Sequence, residues 1–305
     1  MLSLKNVYFF QAGIGILANT FLLVFHIFTI HQIHRPRPTD MITCQLAFVH
    51  IVMLLTTLEI LSADMFKSLG FPNELNCKVM LYVSRVSRGL SISTTCLLSI
   101  VQVITISPSS FYLSTFKDKL TKHVVIAFFC ICCFSLCSNS SMIIYTVAHS
   151  NRTNLLNVSK YCSLTTINSI VRALYLMLVL TQNIFVGIML LSSIYMVIFL
   201  CSHQRKSEYL HSMSLSPRTF PAKRATCTVL ALVSFFVIMY CVDSIISFFS
   251  AVLWKYEPVF LDVQALVGNV YATVSPLVLI SSDKRIADIL EKVINMCQLF
   301  QELIR

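Results

Sequence analysis

The first long apolar stretch of the chain reads FFQAGIGILANTFLLVFHIFTI, from residue 9 to residue 30, and it contains no Asp, Glu, Lys or Arg. A helix needs about 20 consecutive apolar residues to cross a hydrocarbon core that is about 30 Å thick, and this stretch is long enough. It is too long for the core of a signal peptide and has no small-residue cleavage site, so we interpret it as a membrane span.

The composition of the whole chain supports a membrane protein. The 305 residues are 56% hydrophobic and only 12% charged, and the mean hydropathy is +0.79. Soluble domains are about 25% charged, so these values exclude an ordinary soluble domain and a disordered chain. The formal net charge is +10, but no basic stripe is interleaved with surface aromatic residues, and we expect no nucleic-acid partner.

Six further apolar stretches of similar length follow the first. Together they predict an all-α membrane protein in which residues 1–305 form a single domain, a bundle of seven transmembrane helices. A later segment, 283–300, has apolar residues at i, i+3, i+4 and i+7, which predicts an amphipathic helix lying on the inner leaflet. Its Cys297 is a candidate for palmitoylation. The spans are predicted at 9–30, 41–63, 79–105, 124–147, 171–201, 227–252 and 259–280.

The distribution of basic residues orients these spans. One side carries roughly twice as many Lys and Arg residues as the other, and the positive-inside rule assigns that side to the cytoplasm. The N terminus is therefore expected outside the cell, and the membrane that we expect to hold the protein is the plasma membrane. The outer loop between the fourth and fifth spans contains two sequons for N-glycosylation, at Asn151 and Asn157.

Two of the 12 cysteines are predicted to lie on the outer side. Cys77 precedes the third span and Cys162 lies in the loop with the sequons. Both thiols face an oxidising compartment, so we expect them to form a disulfide. The cysteines of the fourth span recur at helical spacing without a nearby His, and we interpret them as apolar packing residues rather than ligands of a metal or cofactor.

Two arginines lie inside the third span. At 1.5 Å per residue from Cys77, Arg85 is about 12 Å and Arg88 about 16 Å along the helix, on neighbouring positions of one face. A charge inside a membrane span is unfavourable and is often functional. Either an arginine forms a structural ion pair with Glu59 or Asp243, or it contacts a polar or anionic group of a ligand. The candidate ligand-binding residues are Arg85, Arg88, Tyr82, Glu59, Asp243 and Asp262, with Phe248 and Phe249 as further apolar lining.

Four segments of the chain carry recognisable motifs. In the third span, residues 85–108 read RVSRGLSISTTCLLSIVQVITISP. The other three are HRPRPTD at 34–40, FPAKRAT at 220–226 and YATVSPLVLIS at 271–281. These segments resemble vomeronasal type-1 receptors, a pheromone-receptor family among the G-protein-coupled receptors, and the resemblance extends along nearly the whole chain.

This resemblance implies a receptor that binds a small organic ligand in the outer half of the bundle and signals to a heterotrimeric G protein. The chain departs from the broader rhodopsin-like pattern, because Gln102 stands where the arginine of the acidic-Arg-aromatic triplet is expected and His50 stands where the second helix usually has Asp. The inactive state must therefore be stabilised differently. Candidate G-protein contacts are basic residues of the inner loops, whose charge the positive-inside bias also explains: Lys117, Lys119, Lys122, Arg218, Lys223 and Arg224.

Two alternatives to this function remain open. A bitter-taste-type receptor resembles this group in fold, but it ordinarily lacks a Cys at the outer start of the third helix. A seven-span transporter or channel would have internal repeats or chains of acidic residues within the membrane, which this sequence does not show. The nucleophile-elbow, zinc-protease and phosphate-loop motifs are also missing from the sequence, so we expect no enzyme activity.

We predict that Cys77 and Cys162 form a disulfide, because the crosslink holds the outer loop at the start of the third helix and reduces the entropy of the unfolded chain. Digestion of surface-expressed receptor without reducing agent should yield one linked peptide pair that separates after reduction. Cys130, inside the fourth span, is the control and should be recovered as a thiol. Alkylation of both Cys77 and Cys162 in the native receptor would contradict the prediction.

Overall fold

The computed structural model describes fourteen stretches of the chain. They are residues 2–32, 37–62, 74–106, 119–140, 143–144, 146–148, 155–157, 162–165, 169–211, 234–246, 248–249, 258–283, 285–288 and 296. Most of these residues are helical, and a small sheet interrupts the helical order between the fourth and fifth helices.

Long helices account for most of the described structure. Five of them are long and apolar enough to cross a membrane, and the described residues include two shorter apolar helical segments, Ser234–Ile246 and Leu266–Ser282, in the region of the sixth and seventh predicted spans. The protein is therefore a helical, multi-pass membrane protein. The helices are α1 (Leu2–Gln32), α2 (Pro38–Ser62), α3 (Glu74–Ile106), α4 (Leu120–Asn139), α5 (Ser169–His211), α6 (Ser234–Ile246) and α7 (Pro258–Ser282).

The fourth helix ends earlier than the sequence predicts. The apolar pattern extends the fourth span to Val147, but α4 ends at Asn139. Three polar side chains near this end bond to backbone carbonyls: Ser138 to Phe134, Asn139 to Ser135, and Ser140 to Cys137. Side chains of this kind compete with the helical hydrogen bonds of the backbone and favour helix ends.

A three-stranded antiparallel sheet follows α4, which corrects the all-α prediction locally. Its strands are β1 (Thr146–Ala148), β2 (Leu155–Asn157) and β3 (Cys162–Thr165), and β3 lies in the middle. Ala148 pairs with Cys162, and β1 contacts α3. The sheet therefore places the backbone of the sequon-bearing loop beside the third helix.

The third helix lies at the centre of the bundle and contacts α2, α4 and α5. Its buried face is rich in hydroxyl groups, including Ser87, Ser93, Thr95 and Ser99. Each of these four hydroxyl groups donates to the carbonyl four residues earlier in the helix, so its hydrogen bond is made without water. Small side chains let neighbouring helices approach closely, which is how helices associate in lipid.

A large apolar cluster of the described residues joins α3, α5, α6 and α7. Phe236 and Tyr271 meet edge to face, with their ring centroids 4.9 Å apart, and Met189 and Ile92 are fully buried beside them. The outward sides of α4 and α5 instead carry exposed apolar residues such as Phe129. These surfaces are suited to contact with lipid.

The first and seventh helices contact each other closely at Gly15. The side-chain amide of Asn19 donates to the carbonyl of Gly15, at 2.7 Å, and to the carbonyl of Ala272 in α7, at 2.9 Å. A Cβ atom on Gly15 would lie 2.7 Å from the Leu54 Cδ1 atom, 2.7 Å from the Thr273 Oγ1 atom and 3.3 Å from the Thr273 Cα atom. The absence of a side chain at Gly15 is therefore required for this packing.

The amphipathic segment predicted at 283–300 lies mostly outside the described residues. Residues 285–288 form a helical turn directly after α7. Within this turn Ile286 is 1% exposed and packs with Leu22 of α1 and Ala47 of α2. The start of the segment therefore contacts the bundle, and the interfacial helix itself stays a prediction.

We predict that Gly15→Ala destabilises the receptor by about 1–3 kcal/mol, because the added methyl group overpacks the contact of α1 with α2 and α7. The measurement is the thermal unfolding midpoint of receptor purified in detergent. Gly13→Ala is the matched control on the same helix, because a Cβ there has no heavy atom within 4 Å. Equal midpoints for the two variants would show that the close contact at Gly15 does not limit stability.

Candidate ligand-binding site

An ion pair joins α3 to α6 within the bundle. The Nη1 atom of Arg88 donates to the Oδ1 atom of Asp243 at 3.1 Å. The side chain of Asp243 is 8% exposed and that of Arg88 is 20% exposed. Arg88 therefore forms an ion pair with Asp243, which is one of the two alternatives that the sequence left open. Contact of Arg88 with a ligand stays a prediction.

A narrow cavity lies against this ion pair. Its free volume is about 20 Å3, which is enough for a water molecule but not for an organic ligand. A ligand that enters here must therefore move the walls apart. The lining residues come from α2, α3, α6 and α7: Met53, Arg88, Ser91, Met239, Tyr240, Asp243, Val267, Gly268 and Tyr271.

Gly268 leaves space beside the guanidinium group of Arg88. A Cβ atom at this position would lie 3.6 Å from the Arg88 Nη2 atom and 4.0 Å from the Met53 Cε atom. These are ordinary van der Waals distances, so the backbone of α7 tolerates a methyl group here. The methionine side chains of the wall are flexible and can adapt to different apolar shapes.

A buried chain of hydroxyl groups and an imidazole continues from the cavity wall. The hydroxyl oxygen of Ser91 lies 2.9 Å from the Nε2 atom of His50 and 3.0 Å from the hydroxyl oxygen of Tyr240. The hydroxyl of Thr95 lies 2.6 Å from that of Tyr271 and 3.5 Å from that of Tyr240. This polar network links α2, α3, α6 and α7, and three of its members also line the cavity.

The aromatic rings of the network pack on one another. The imidazole of His50 meets the ring of Tyr271 edge to face at a centroid distance of 5.0 Å, and the rings of Tyr240 and Tyr271 are 4.6 Å apart. Sequence reasoning noted His50 only as a departure from a familiar pattern and missed both tyrosines. Polar residues in the middle of apolar spans were the available signal, because such groups need partners inside the bundle.

The structure moves two groups of predicted lining residues away from the cavity. The hydroxyl of Tyr82 donates to the carbonyl of Leu136 in α4, at 3.1 Å, because this side of α3 faces α4 rather than α6. Phe248 and Phe249 are 44% and 54% exposed, and their rings contact each other. These three residues are therefore not part of the wall of this cavity, and their contact with a ligand stays a prediction.

The structure describes the remaining candidate ligand-binding residues only in part. Arg85 is partly buried and has interactions of its own, but among the described residues the cavity wall includes Arg88 and not Arg85. Glu59 and Asp262 lie in α2 and α7, and their side chains fall outside the described part of the structure. The structure therefore brings Arg88 and Asp243 together from the predicted set.

Two of the six candidate G-protein contacts are described by the structure, at the start of α4. Lys119 and Lys122 are exposed there. The remaining basic candidates, Lys117, Arg218, Lys223 and Arg224, lie outside the described residues, as do Asn151 and Cys297. Asn157 is the last residue of β2. The backbone of Cys77 lies in α3 and that of Cys162 lies in β3. The side chains of these two cysteines fall outside the described part of the structure.

The chemistry of the cavity suits reversible binding. The guanidinium group of Arg88 has five N–H donors in a planar arrangement and can bond a ligand acceptor in addition to a carboxylate. The tyrosine rings and methionines provide apolar surface close to these donors. Among the described residues, no group of three or more His, Cys, Asp or Glu side chains is arranged to hold a metal ion.

We predict that Arg88→Gln destabilises the receptor by about 3–5 kcal/mol, because Asp243 is left buried without its counter-charge. The measurement is surface expression together with thermal unfolding in detergent. The double variant Arg88→Gln, Asp243→Asn removes both charges and should recover much of the lost stability. Additive losses in the double variant would contradict a direct ion pair.

Comparison with known proteins gives matches along almost the entire chain. The model of the vomeronasal organ pheromone receptor family matches residues 2–292. Vomeronasal type-1 receptor 90 of Rattus norvegicus is 39% identical over 294 residues, which cover 95% of this chain and 94% of that receptor. Vomeronasal type-1 receptor 51 of Mus musculus is 36% identical over 294 residues, covering 95% of this chain and 92% of that receptor.

A further relative gives the same result. Vomeronasal type-1 receptor 94 of Rattus norvegicus is 36% identical over 301 residues, which cover 96% of this chain and 92% of that receptor. These relatives are receptors by name, and none of the three is named as an enzyme. The similarity predicted from the third span and the other segments is confirmed, and the chain belongs to the vomeronasal organ pheromone receptor family.

Proposed function

We propose that this protein is a chemosensory receptor of the pheromone type that binds a small organic ligand in the cavity between α2, α3, α6 and α7. Ligand binding would be signalled to a heterotrimeric G protein on the inner side of the membrane. One observation carries the location of the site: the Arg88–Asp243 ion pair forms part of a cavity wall inside the bundle. The family membership supports the receptor function.

The proposed topology is a bundle of seven transmembrane helices in the plasma membrane with the N terminus outside. Support comes from the apolar helices α1 to α5, from the apolar segments of α6 and α7, and from the bias of basic residues. In this orientation the sheet β1–β3 lies on the outer side. The proposal includes the disulfide of Cys77 with Cys162, glycans on Asn151 and Asn157, and a lipid on Cys297.

The proposed mechanism begins with the opening of the cavity. Because its free volume is only about 20 Å3, a ligand must separate the walls formed by α3, α6 and α7. An acceptor group on the ligand bonds to further N–H donors of Arg88 and competes with Asp243 for the guanidinium group, while the apolar remainder contacts Met53 and Met239. The ligand shifts the receptor population only to the extent that it binds the opened arrangement more tightly.

The polar network connects this opening with the rest of the bundle. Tyr240 and Tyr271 line the cavity and also bond to Ser91 and Thr95 of α3. When α6 moves away from α3, these hydrogen bonds must rearrange together with the ion pair. A local change at the ligand is thereby coupled to the relative positions of three helices.

The inner surface offers basic side chains to the G protein. Lys119 and Lys122 are exposed at the start of α4, where they are available to a partner. We assign G-protein contact to these two residues together with four in the neighbouring inner segments. Those four are Lys117, Arg218, Lys223 and Arg224.

Gly268→Ala tests the location of the ligand site. We predict at least a tenfold loss of ligand potency, equivalent to about 1.4 kcal/mol, because the methyl group occupies the space beside Arg88. The receptor is expressed with a promiscuous G protein, and calcium responses to a panel of volatile and steroid-like compounds identify an activating compound. Potency is then compared at equal surface expression.

Gly187→Ala is the matched control for this experiment. It makes the same chemical change within α5, where a Cβ atom has no heavy atom within 4 Å, and its potency should equal that of the unmodified receptor. Equal potency in both variants would place the ligand elsewhere. Silence of the unmodified receptor toward the entire panel despite surface delivery would count against the proposed function itself.

A further inference from the structure

A second ion-pair cluster lies at the inner end of the bundle. Arg285, in the turn after α7, donates from Nη2 to the Oδ1 atom of Asp40 at 2.7 Å and from Nη1 to its Oδ2 atom at 3.2 Å. The same guanidinium donates from Nε and Nη2 to the carboxylate of Asp283, at 3.1 and 2.7 Å. Asp40 belongs to α2, so these bonds connect the inner end of α7 to α2.

The surroundings strengthen this inner-end cluster, which we define as Asp40, Asp283 and Arg285. The backbone N–H of Arg285 donates to Asp283 Oδ1 at 2.9 Å, so Asp283 also caps the turn that follows α7. The guanidinium carbon of Arg285 lies 5.7 Å from the centroid of the Phe25 ring of α1. The Nδ1 atom of His26 lies 3.4 Å from Asp40 Oδ1. The cluster therefore gathers α1, α2 and the end of α7.

The two partners of the inter-helix bond are buried to different degrees. The side chain of Asp40 is 3% exposed, whereas that of Arg285 is 29% exposed. If the bond opens, Arg285 can reach water but Asp40 is left buried without its cation. Leaving a buried carboxylate unpaired is strongly unfavourable, so the closed arrangement is favoured.

Asp283 and Arg285 remain charged near neutral pH. Burial raises the pKa of Asp283, but the hydrogen bonds from Arg285 outweigh this effect and hold the pKa below its ordinary value. The hydrogen bond to Asp283, followed by the bond to Asp40, raises the pKa of Arg285 above its usual range. Movement of the helices, rather than titration of Asp283 or Arg285, is therefore what opens the inter-helix bond near neutral pH.

The seventh helix connects this cluster to the cavity. Val267, Gly268 and Tyr271 form part of the cavity wall, and Arg285 follows the other end of the same helix. Pro276 lies between them, where it removes a hydrogen bond of the helix ladder and makes bending easier. A displacement of the cavity wall can therefore be transmitted through α7 to its inner end.

We propose that the inner-end cluster holds α7 against α2 in the resting receptor and opens in the signalling arrangement. This proposal rests on the proposed function, because it assigns to the cluster the suppression of signalling in the absence of ligand. Asp40 and Arg285 act as positioning residues, and neither contacts the ligand cavity. Removing either side of the bond therefore raises signalling without ligand.

The test uses Asp40→Asn, Arg285→Gln and the double variant in the full-length receptor. Each single variant should raise ligand-independent G-protein signalling several-fold at equal surface expression, and the double variant should not exceed the larger single effect, because both changes remove the same bond. Asp288→Asn is the matched control, since it removes a carboxylate from an exposed residue of the same turn. Unchanged basal signalling in both single variants would overturn the proposal.

Hydrogen exchange in purified receptor provides a readout that does not depend on a G protein. Residues 279–288 should exchange faster in Asp40→Asn and Arg285→Gln than in Asp288→Asn, while the cavity-lining part of α7 stays unchanged. Unchanged exchange in residues 279–288 would overturn the proposal even if the receptor signals. Faster exchange in a receptor that is silent in every assay would instead support the contact and count against the proposed function.

Arg285→Lys addresses the outcome in which the neutral variants fail to reach the surface. It keeps the positive charge but cannot bond two carboxylates with a planar fork, so we expect surface expression with an intermediate rise in basal signalling. Intracellular retention of Arg285→Lys as well would mean that the cluster is required for folding. That result would overturn its assignment as an element that opens during signalling.

Discussion

The rest of the bundle depends on the need to neutralise a positive charge inside a membrane span. The guanidinium of Arg88 lies within α3, and lipid provides no water to solvate it. Asp243 of α6 supplies the counter-charge at 3.1 Å. Because the two groups belong to different helices, the electrostatic requirement of one side chain fixes the position of α6 beside α3. The cavity and the polar network lie at this junction.

The same helix supplies both close packing and internal hydrogen bonding. Several hydroxyl groups of α3 bond to their own backbone, and Thr95 bonds in addition to Tyr271 of α7, whereas Ser91 bonds across to Tyr240 of α6. Small side chains allow the approach, and the hydroxyls then provide polar contacts across it. Stability and the proposed signalling pathway thus use the same groups, so that a ligand which moves α6 must rearrange contacts that hold the bundle together.

Two ion pairs with the same asymmetry lie along the path from the cavity to the inner end of α7. In each pair the carboxylate is almost fully buried, at 8% exposure for Asp243 and 3% for Asp40, and the arginine is more exposed, at 20% for Arg88 and 29% for Arg285. The carboxylate is therefore the fixed partner and the arginine is the one that can change partners. Such a pair favours one arrangement strongly but can be opened by an interaction that replaces it.

The sequence by itself determined the membrane class, the approximate positions of most helices and the family, because apolar length and short motifs are local properties. It also selected Arg88 and Asp243 as candidates, since a charge in an apolar span is visible without a structure. Only the tertiary structure decided that Asp243 is the partner of Arg88, that Tyr82 faces α4, and that His50, Tyr240 and Tyr271 share a network with α3. These outcomes depend on which helix faces lie against each other. Packing between residues far apart in the chain determines which faces those are.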